Sequence, residues 1–171
     1  GAGWDQITTG SGNDVIDGGA GNDTITSGTG NDTLQGGAGD DTFVLAGNLT
    51  SADTIDGGDG TDTLSVTAIT ASALTGVTNV ENLAVTGVST VSLSSNLSFT
   101  TLDISDASTQ SVTFGTGYTN ATTVYLKTDS GDTVVNTAKV ALTVDATLAT
   151  AITGSTLTGG AATTTNGVTT G

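Results

Sequence analysis

The sequence predicts an all-β protein, a parallel β-roll that continues into a parallel β-solenoid of longer coils. Three observations lead there. A pattern of glycine, aspartate and one large apolar residue returns every nine residues through roughly the first 66 of 171 residues. A slower beat of short Thr- and Val-rich segments follows it almost to the C-terminus. The apolar residues, 35% of the chain, are mostly Val, Ile and Leu, the strand formers, which is too apolar a composition for a disordered tail.

The fast repeat comes first. Asp5, Asp14, Asp23, Asp32 and Asp41 stand at a strict nine-residue spacing. Two positions after each lies Ile7, Ile16, Ile25, Leu34 or Phe43; two positions before lies Gly3, Gly12, Gly21, Gly30 or Gly39. Two further back is glycine again, at Gly1, Gly10, Gly19, Gly28 and Gly37. After a three-residue insertion around "LAGNLTSADTID", Asp53 and Ile55 resume the phase without the glycines, because Leu49 and Ser51 replace them. "GGDGTDTLS" then restores the whole pattern with Gly58, Gly60, Asp62 and Leu64. One copy would mean only a turn, since Gly-Asp and Asn-Asp steps turn a chain unaided. Seven copies in phase are a repeat architecture.

The slow beat places Leu64, Leu83, Leu102, Val124 and Leu142 at spacings of 19, 19, 22 and 18 residues. A second set lies between them, at Val91, Val112, Val134 and Ile152. Alternating apolar and polar residues around each position read as short half-buried strands, two per coil of about 20 residues. Residues 1–66 and 67–171 are therefore expected to be two stretches of one continuous rod, with "GAATTTNGVTTG" after Gly159 either a further coil or a frayed end. The chain starts partway through a repeat and is read as a piece of a longer protein.

Composition excludes several functions. Without His or Cys there is no Ser-His-Asp or Cys-His nucleophile and no ordinary zinc site. A net charge of −15, with only Lys127 and Lys139 positive, argues against nucleic acid and anionic membrane. No run of 18 apolar residues would insert into a bilayer. Every nearby carboxylate pair already has a place in a turn, so no catalytic residue is assigned. Trp4, the only tryptophan, is expected to cover the first coil.

The nonapeptide is G-G-x-G-x-D-x-U-x, and Gly1 to about Val66 resembles the calcium-binding RTX repeats. The resemblance implies a coil of two nonapeptides, in which G-G-x-G-x-D turns the corner and x-U-x is a three-residue strand. Copies two repeats apart then stack, with Asp5, Asp23, Asp41 and Asp62 on one edge and Asp14, Asp32 and Asp53 on the other. At the interstrand spacing of about 4.8 Å, two such charges repel by about 0.9 kcal/mol even at the dielectric of water. Residues 1–65 carry eleven Asp and no Lys or Arg, and the rest carry six acids and two Lys, so −11 and −4 make up the −15. About five Ca2+ ions, +10, would nearly neutralise the first stretch, and calcium's loose shell of six to eight hard oxygens suits carboxylates and turn carbonyls. The expected ligands are the seven repeat aspartates and the turn glycines named above. Asp53, lacking its glycines, is the one expected to bind weakly or not at all. Asp17, Asp40, Asp56 and Asp59 are expected to support the corners or face water, and Asp103, Asp106, Asp129, Asp132 and Asp145 to face water.

A β-roll merging into a Thr-, Ala- and Val-rich, Lys-poor solenoid, with "GVTNVENLAVTG" at the junction, is similar to bacterial surface-layer proteins of the RTX type. That resemblance implies an extracellular, non-enzymatic structural protein that calcium folds and assembles after type I secretion. Its partners would be copies of itself and, through a region outside this stretch, cell-surface polysaccharide. The alternative is the folding and secretion module of a secreted hydrolase, toxin or large adhesin.

Overall fold

The computed structural model describes residues 1–67, 69–87, 90–93, 97, 99–104, 111–115, 118, 122–126, 133–136, 142–145, 156–158 and 162–165. Seven strands come from the nonapeptides: β1 (Gln6–Thr8), β2 (Val15–Ala20), β3 (Thr24–Thr26), β4 (Thr33–Ala38), β5 (Thr42–Ala46), β6 (Thr54–Asp59) and β7 (Thr63–Val66). A 3-10 helix (Ala71–Gly76) and the two-residue β8 (Val77–Thr78) follow. The slow beat supplies β9 (Asn82–Val85), β10 (Thr90–Leu93), β11 (Thr101–Ile104), β12 (Ser111–Phe114), β13 (Thr122–Leu126), β14 (Thr133–Asn136), β15 (Leu142–Asp145), β16 (Thr156–Thr158) and β17 (Ala162–Thr165).

All paired strands run parallel, and each pairs with the strand two further along the chain, as a solenoid requires. One nine-stranded sheet takes every odd-numbered strand from β1 to β17, crossing from the nonapeptides into the longer coils without a break. The even-numbered strands form two four-stranded sheets, β2-β4-β6-β8 and β10-β12-β14-β16. That face is interrupted where the 3-10 helix shortens β8 to two residues.

Period-2 alternation decides which side chains enter the core. Ile7, Ile25, Phe43, Leu64, Leu83, Leu102 and Val124 stand in register on the long sheet, and Ile16, Leu34, Ile55 and Val77 on the opposite one. From Ile16 to Leu102 these residues are all buried, with Ile7 partly buried below them. Farther along, Tyr118 is buried as well; its hydroxyl donates to the Phe99 carbonyl at 2.7 Å and its ring meets Phe114 edge-on at 5.1 Å.

The structure corrects the sequence reading in four places. Strands β2, β4 and β6 are six residues long rather than three, because the chain stays extended into the following glycines and Gly19, Gly37 and Gly58 pair in the ladder. Leu142 stands beside Thr122, and Val144 rather than Leu142 continues the column from Val124. On the other face the partner of Val134 is Leu157; Ile152, expected there, lies outside the described residues. Trp4 is 69% exposed and covers nothing, since the position before each repeat aspartate points outward. The segment after Gly159 does contribute a strand, β17, beside β15.

Candidate metal centre

The corners between strands hold the aspartates, and their glycines are there for space. Gly37 has φ +115, a region costly for residues with a side chain, and a Cβ on it would strike the carbonyl oxygen of Gly19 one coil below. Successive corners therefore lie close enough to share ligands.

Two columns of aspartates result. On one edge the Asp5 N–H donates to Asp23 Oδ1 at 2.8 Å, that of Asp23 to Asp41 Oδ1 at 2.7 Å, and that of Asp41 to Asp62 Oδ1 at 2.7 Å. On the other the Asp14 N–H donates to Asp32 Oδ1 at 3.0 Å and that of Asp32 to Asp53 Oδ1 at 2.8 Å. Asp23, Asp32, Asp41, Asp53 and Asp62 are each no more than 3% exposed. Every such bond uses Oδ1. The Oδ2 atoms of Asp14, Asp23, Asp41 and Asp62 are buried with no hydrogen-bond partner. A buried carboxylate oxygen left this way costs more free energy than an ordinary missing hydrogen bond.

The electrostatics agree. Burial pushes the Asp62 carboxyl up to about 6, the N–H from Asp41 works against the rise, and the charges of Asp41, Glu81 and Asp40 add to it. Asp41 is raised in the same way, first by burial and also by the charges of Asp23 and Asp40.

The oxygens converge. A Cβ placed on Gly18 would lie 2.5 Å from Asp23 Oδ2 and 2.7 Å from the Gly36 carbonyl oxygen. One placed on Gly36 would strike Asp41 Oδ2 and lie 2.5 Å from the Gly57 carbonyl oxygen. At these two corners a partnerless carboxylate oxygen and a carbonyl from the next coil thus point at nearly the same place. No point among the described residues gathers three acidic side chains, so backbone oxygens must complete any metal shell. A hard divalent cation that accepts mixed carboxylate and carbonyl oxygens fits these residues, and calcium fits better than the strictly octahedral magnesium. When bound it would supply positive charge and bridge successive corners.

Three local differences were missed in the sequence. Asp53 Oδ2 accepts the N–H of Thr50 at 2.7 Å and its hydroxyl at 3.2 Å, so this carboxylate is satisfied by its own loop. Five positions before Asp14 and Asp32 stand Thr9 and Ser27, where the other edge has Gly18, Gly36 and Gly57; both hydroxyls are buried without a partner. The two edges are therefore chemically unlike. Glu81 continues the first column, its Oε2 accepting the Asp62 N–H at 2.9 Å. The signal for Glu81 was its place two residues before Leu83.

The remaining acids are peripheral. Asp40 Oδ1 accepts the Thr61 N–H at 2.9 Å in an outer ladder that Asn13 and Asn22 also form with the coil above. Asp56 accepts from the Asn79 side chain at 2.8 Å, and Asp17, Asp59 and Asp103 are exposed. Asp106, Asp129 and Asp132 lie outside the described residues.

The family of the RTX calcium-binding nonapeptide repeat (4 copies) matches residues 1–34, 17–47 and 49–66. These coils are an RTX β-roll. RTX nonapeptide repeats bind Ca2+, and proteins that carry them are generally secreted. The RTX β-roll is typically non-catalytic. Among curated proteins and among solved structures, none matches the chain. No helix among the described residues is long and apolar enough to cross a membrane.

Proposed function

We propose that the chain is part of a calcium-dependent structural protein of the bacterial cell surface, and that calcium drives both its folding after secretion and its assembly into a surface lattice. The observation that carries this reading is the set of four buried, partnerless Oδ2 atoms in a stretch with no Lys or Arg. Such a stack is short of positive charge by design of its corners, and a cation from outside completes it. The ligands are Asp5, Asp14, Asp23, Asp32, Asp41 and Asp62 with carbonyls of the corner glycines, and Asp53 stands apart because Thr50 holds its free oxygen.

Metal linkage gives the secretion logic. In a low-calcium cytosol the repulsive repeats stay unfolded and pass a secretion channel, and outside the cell binding becomes folding free energy. Extracellular calcium modules with dissociation constants of about 10⁻⁴–10⁻³ M respond over that range. The unbroken nine-stranded sheet supports a structural role, because a rod of this kind offers its length for contact with copies of itself. The chain has no part in catalysis on this reading: it lacks His and Cys, and its carboxylates are committed to corners.

Far-ultraviolet circular dichroism during a calcium titration is the first test, with β-signal expected to appear as calcium rises. A spectrum already β-rich in chelator and unchanged by calcium would contradict the reading. Electron microscopy of the intact protein tests assembly: calcium-dependent sheets are expected, and monodisperse molecules at high calcium would instead favour a folding module attached to a secreted hydrolase, toxin or adhesin.

A further inference from the structure

The aspartate column has one member beyond the nonapeptides. Glu81 Oε2 takes the Asp62 N–H just as the Oδ1 atoms of Asp23, Asp41 and Asp62 take the N–H one coil below. The backbone repeats the rule: Asn82 donates to the Asp62 carbonyl at 2.9 Å, as Thr42 does to Asp23 and Thr63 to Asp41, each at 2.8 Å. Leu83 stands beside Leu64 in the core column. "TNVE" (78–81) thus does the work of G-G-x-G-x-D in two fewer residues, and the extra methylene of glutamate carries its carboxylate to the same place.

The carbonyl is replaced too. A Cβ on Gly57 would strike the Asn79 carbonyl oxygen and lie 2.5 Å from Asp62 Oδ2, repeating the convergence seen at Gly18 and Gly36. Asn79 reaches this orientation with φ +49, a left-handed conformation that asparagine tolerates. Its side chain donates to Asp56 Oδ1 at 2.8 Å, which holds the turn in place. Asp62 itself is 0% exposed, and its Oδ2 has no hydrogen-bond partner.

We propose that Asp62, Glu81 and the carbonyl oxygen of Asn79 form an additional calcium site, outside the repeat motif, that clamps the last RTX corner to the first coil beyond it. The proposal rests on the reading that the corners below bind calcium. Its role is to pass calcium-dependent order from the β-roll to the solenoid at the level where the opposite sheet is interrupted.

The test uses the full chain with Ca2+ as the probe, measuring bound ions per chain by isothermal titration calorimetry and amide hydrogen exchange across residues 77–85. Glu81→Gln keeps the size and the acceptor oxygen but loses the charge, and Asp41→Asn serves as a control within the repeats. The proposal expects Glu81→Gln to bind one ion fewer than the wild type and to lose calcium-dependent protection in 77–85, with protection in 24–44 kept. If Asp41→Asn loses an ion while Glu81→Gln matches the wild type in both readouts, the junction site is refuted and the lower corners stand. If the wild type binds no calcium, both ideas fall together.

Discussion

Asp23, Asp41 and Asp62 each divide their two oxygens: Oδ1 accepts a hydrogen bond from the coil below, and Oδ2 is buried without a partner. Asp41 and Asp53 differ in this second half alone, since both Oδ1 atoms accept a backbone N–H from the coil below, while Thr50 satisfies Oδ2 only in Asp53. Asp41→Asn should therefore raise the calcium midpoint of folding about 10- to 100-fold, the equivalent of losing one charge-assisted contact of about 1.5–3 kcal/mol. Asp53→Asn should leave the number of bound ions unchanged. Titrations of the two variants side by side check this, and equal loss of ions in both would show that Thr50 does not decide the matter. Asp62 adds a pH dependence. Its carboxyl is raised from 3.8 to about 6 in the folded, metal-free chain, so the folded state holds a proton more tightly than the unfolded one. The stability this contributes is fully present below 3.8 and is lost as pH rises through about 6. In chelator, β-signal should be greater at pH 4 than at pH 7, and calcium should remove the difference at pH 7. Equal metal-free spectra at the two values would count against the raised carboxyl.

The element scale is set by how little backbone each coil has. The strands β1 and β3 are three residues long, too short to be stable alone, and they hold because they pair in a ladder over the partly buried Ile7 and the buried Ile25. Two kinds of damage follow. Leu34→Ala opens the core between Ile16 and Ile55 and should cost about 2–5 kcal/mol. Gly37→Ala adds a single methyl, yet it should cost at least about 1–2 kcal/mol from its left-handed backbone alone, before the clash with the Gly19 carbonyl. Denaturant unfolding in saturating calcium measures both. Only Gly37→Ala should also weaken calcium binding, because it alone moves a corner; an unchanged calcium affinity would mean that the corner relaxes around the methyl.

For the whole molecule, charge neutralisation and bridging have to be separated. Ordinary salt screens charges over about 10 Å at 0.1 M, so it can soften repulsion between columns. It cannot give a ligand to oxygens that are buried and partnerless. Potassium chloride at matched ionic strength should therefore fail to replace calcium in restoring β-signal to the chelated chain. Full recovery in potassium chloride would reduce calcium's role to screening.

The nine-residue spacing by itself determined a repeat architecture, and with the coil of two nonapeptides that the RTX resemblance implies it determined which aspartates would share an edge, because a strict period leaves a coil no freedom to choose its neighbours. It determined the repeat's inward residues as well, from Ile7 to Leu64, whereas Leu45 and Val66, buried too, come from the longer strands β5 and β7. The tertiary structure decided what period alone does not carry. Thr50 reaches Asp53 through a loop that the repeat does not contain, Glu81 joins the column through a longer side chain on a shorter turn, and Val144 replaces Leu142 because Thr-rich segments pair almost equally well in several registers. In each case the outcome depends on where an oxygen or a backbone comes to rest in space. Repetition predicts that only while the coils remain identical.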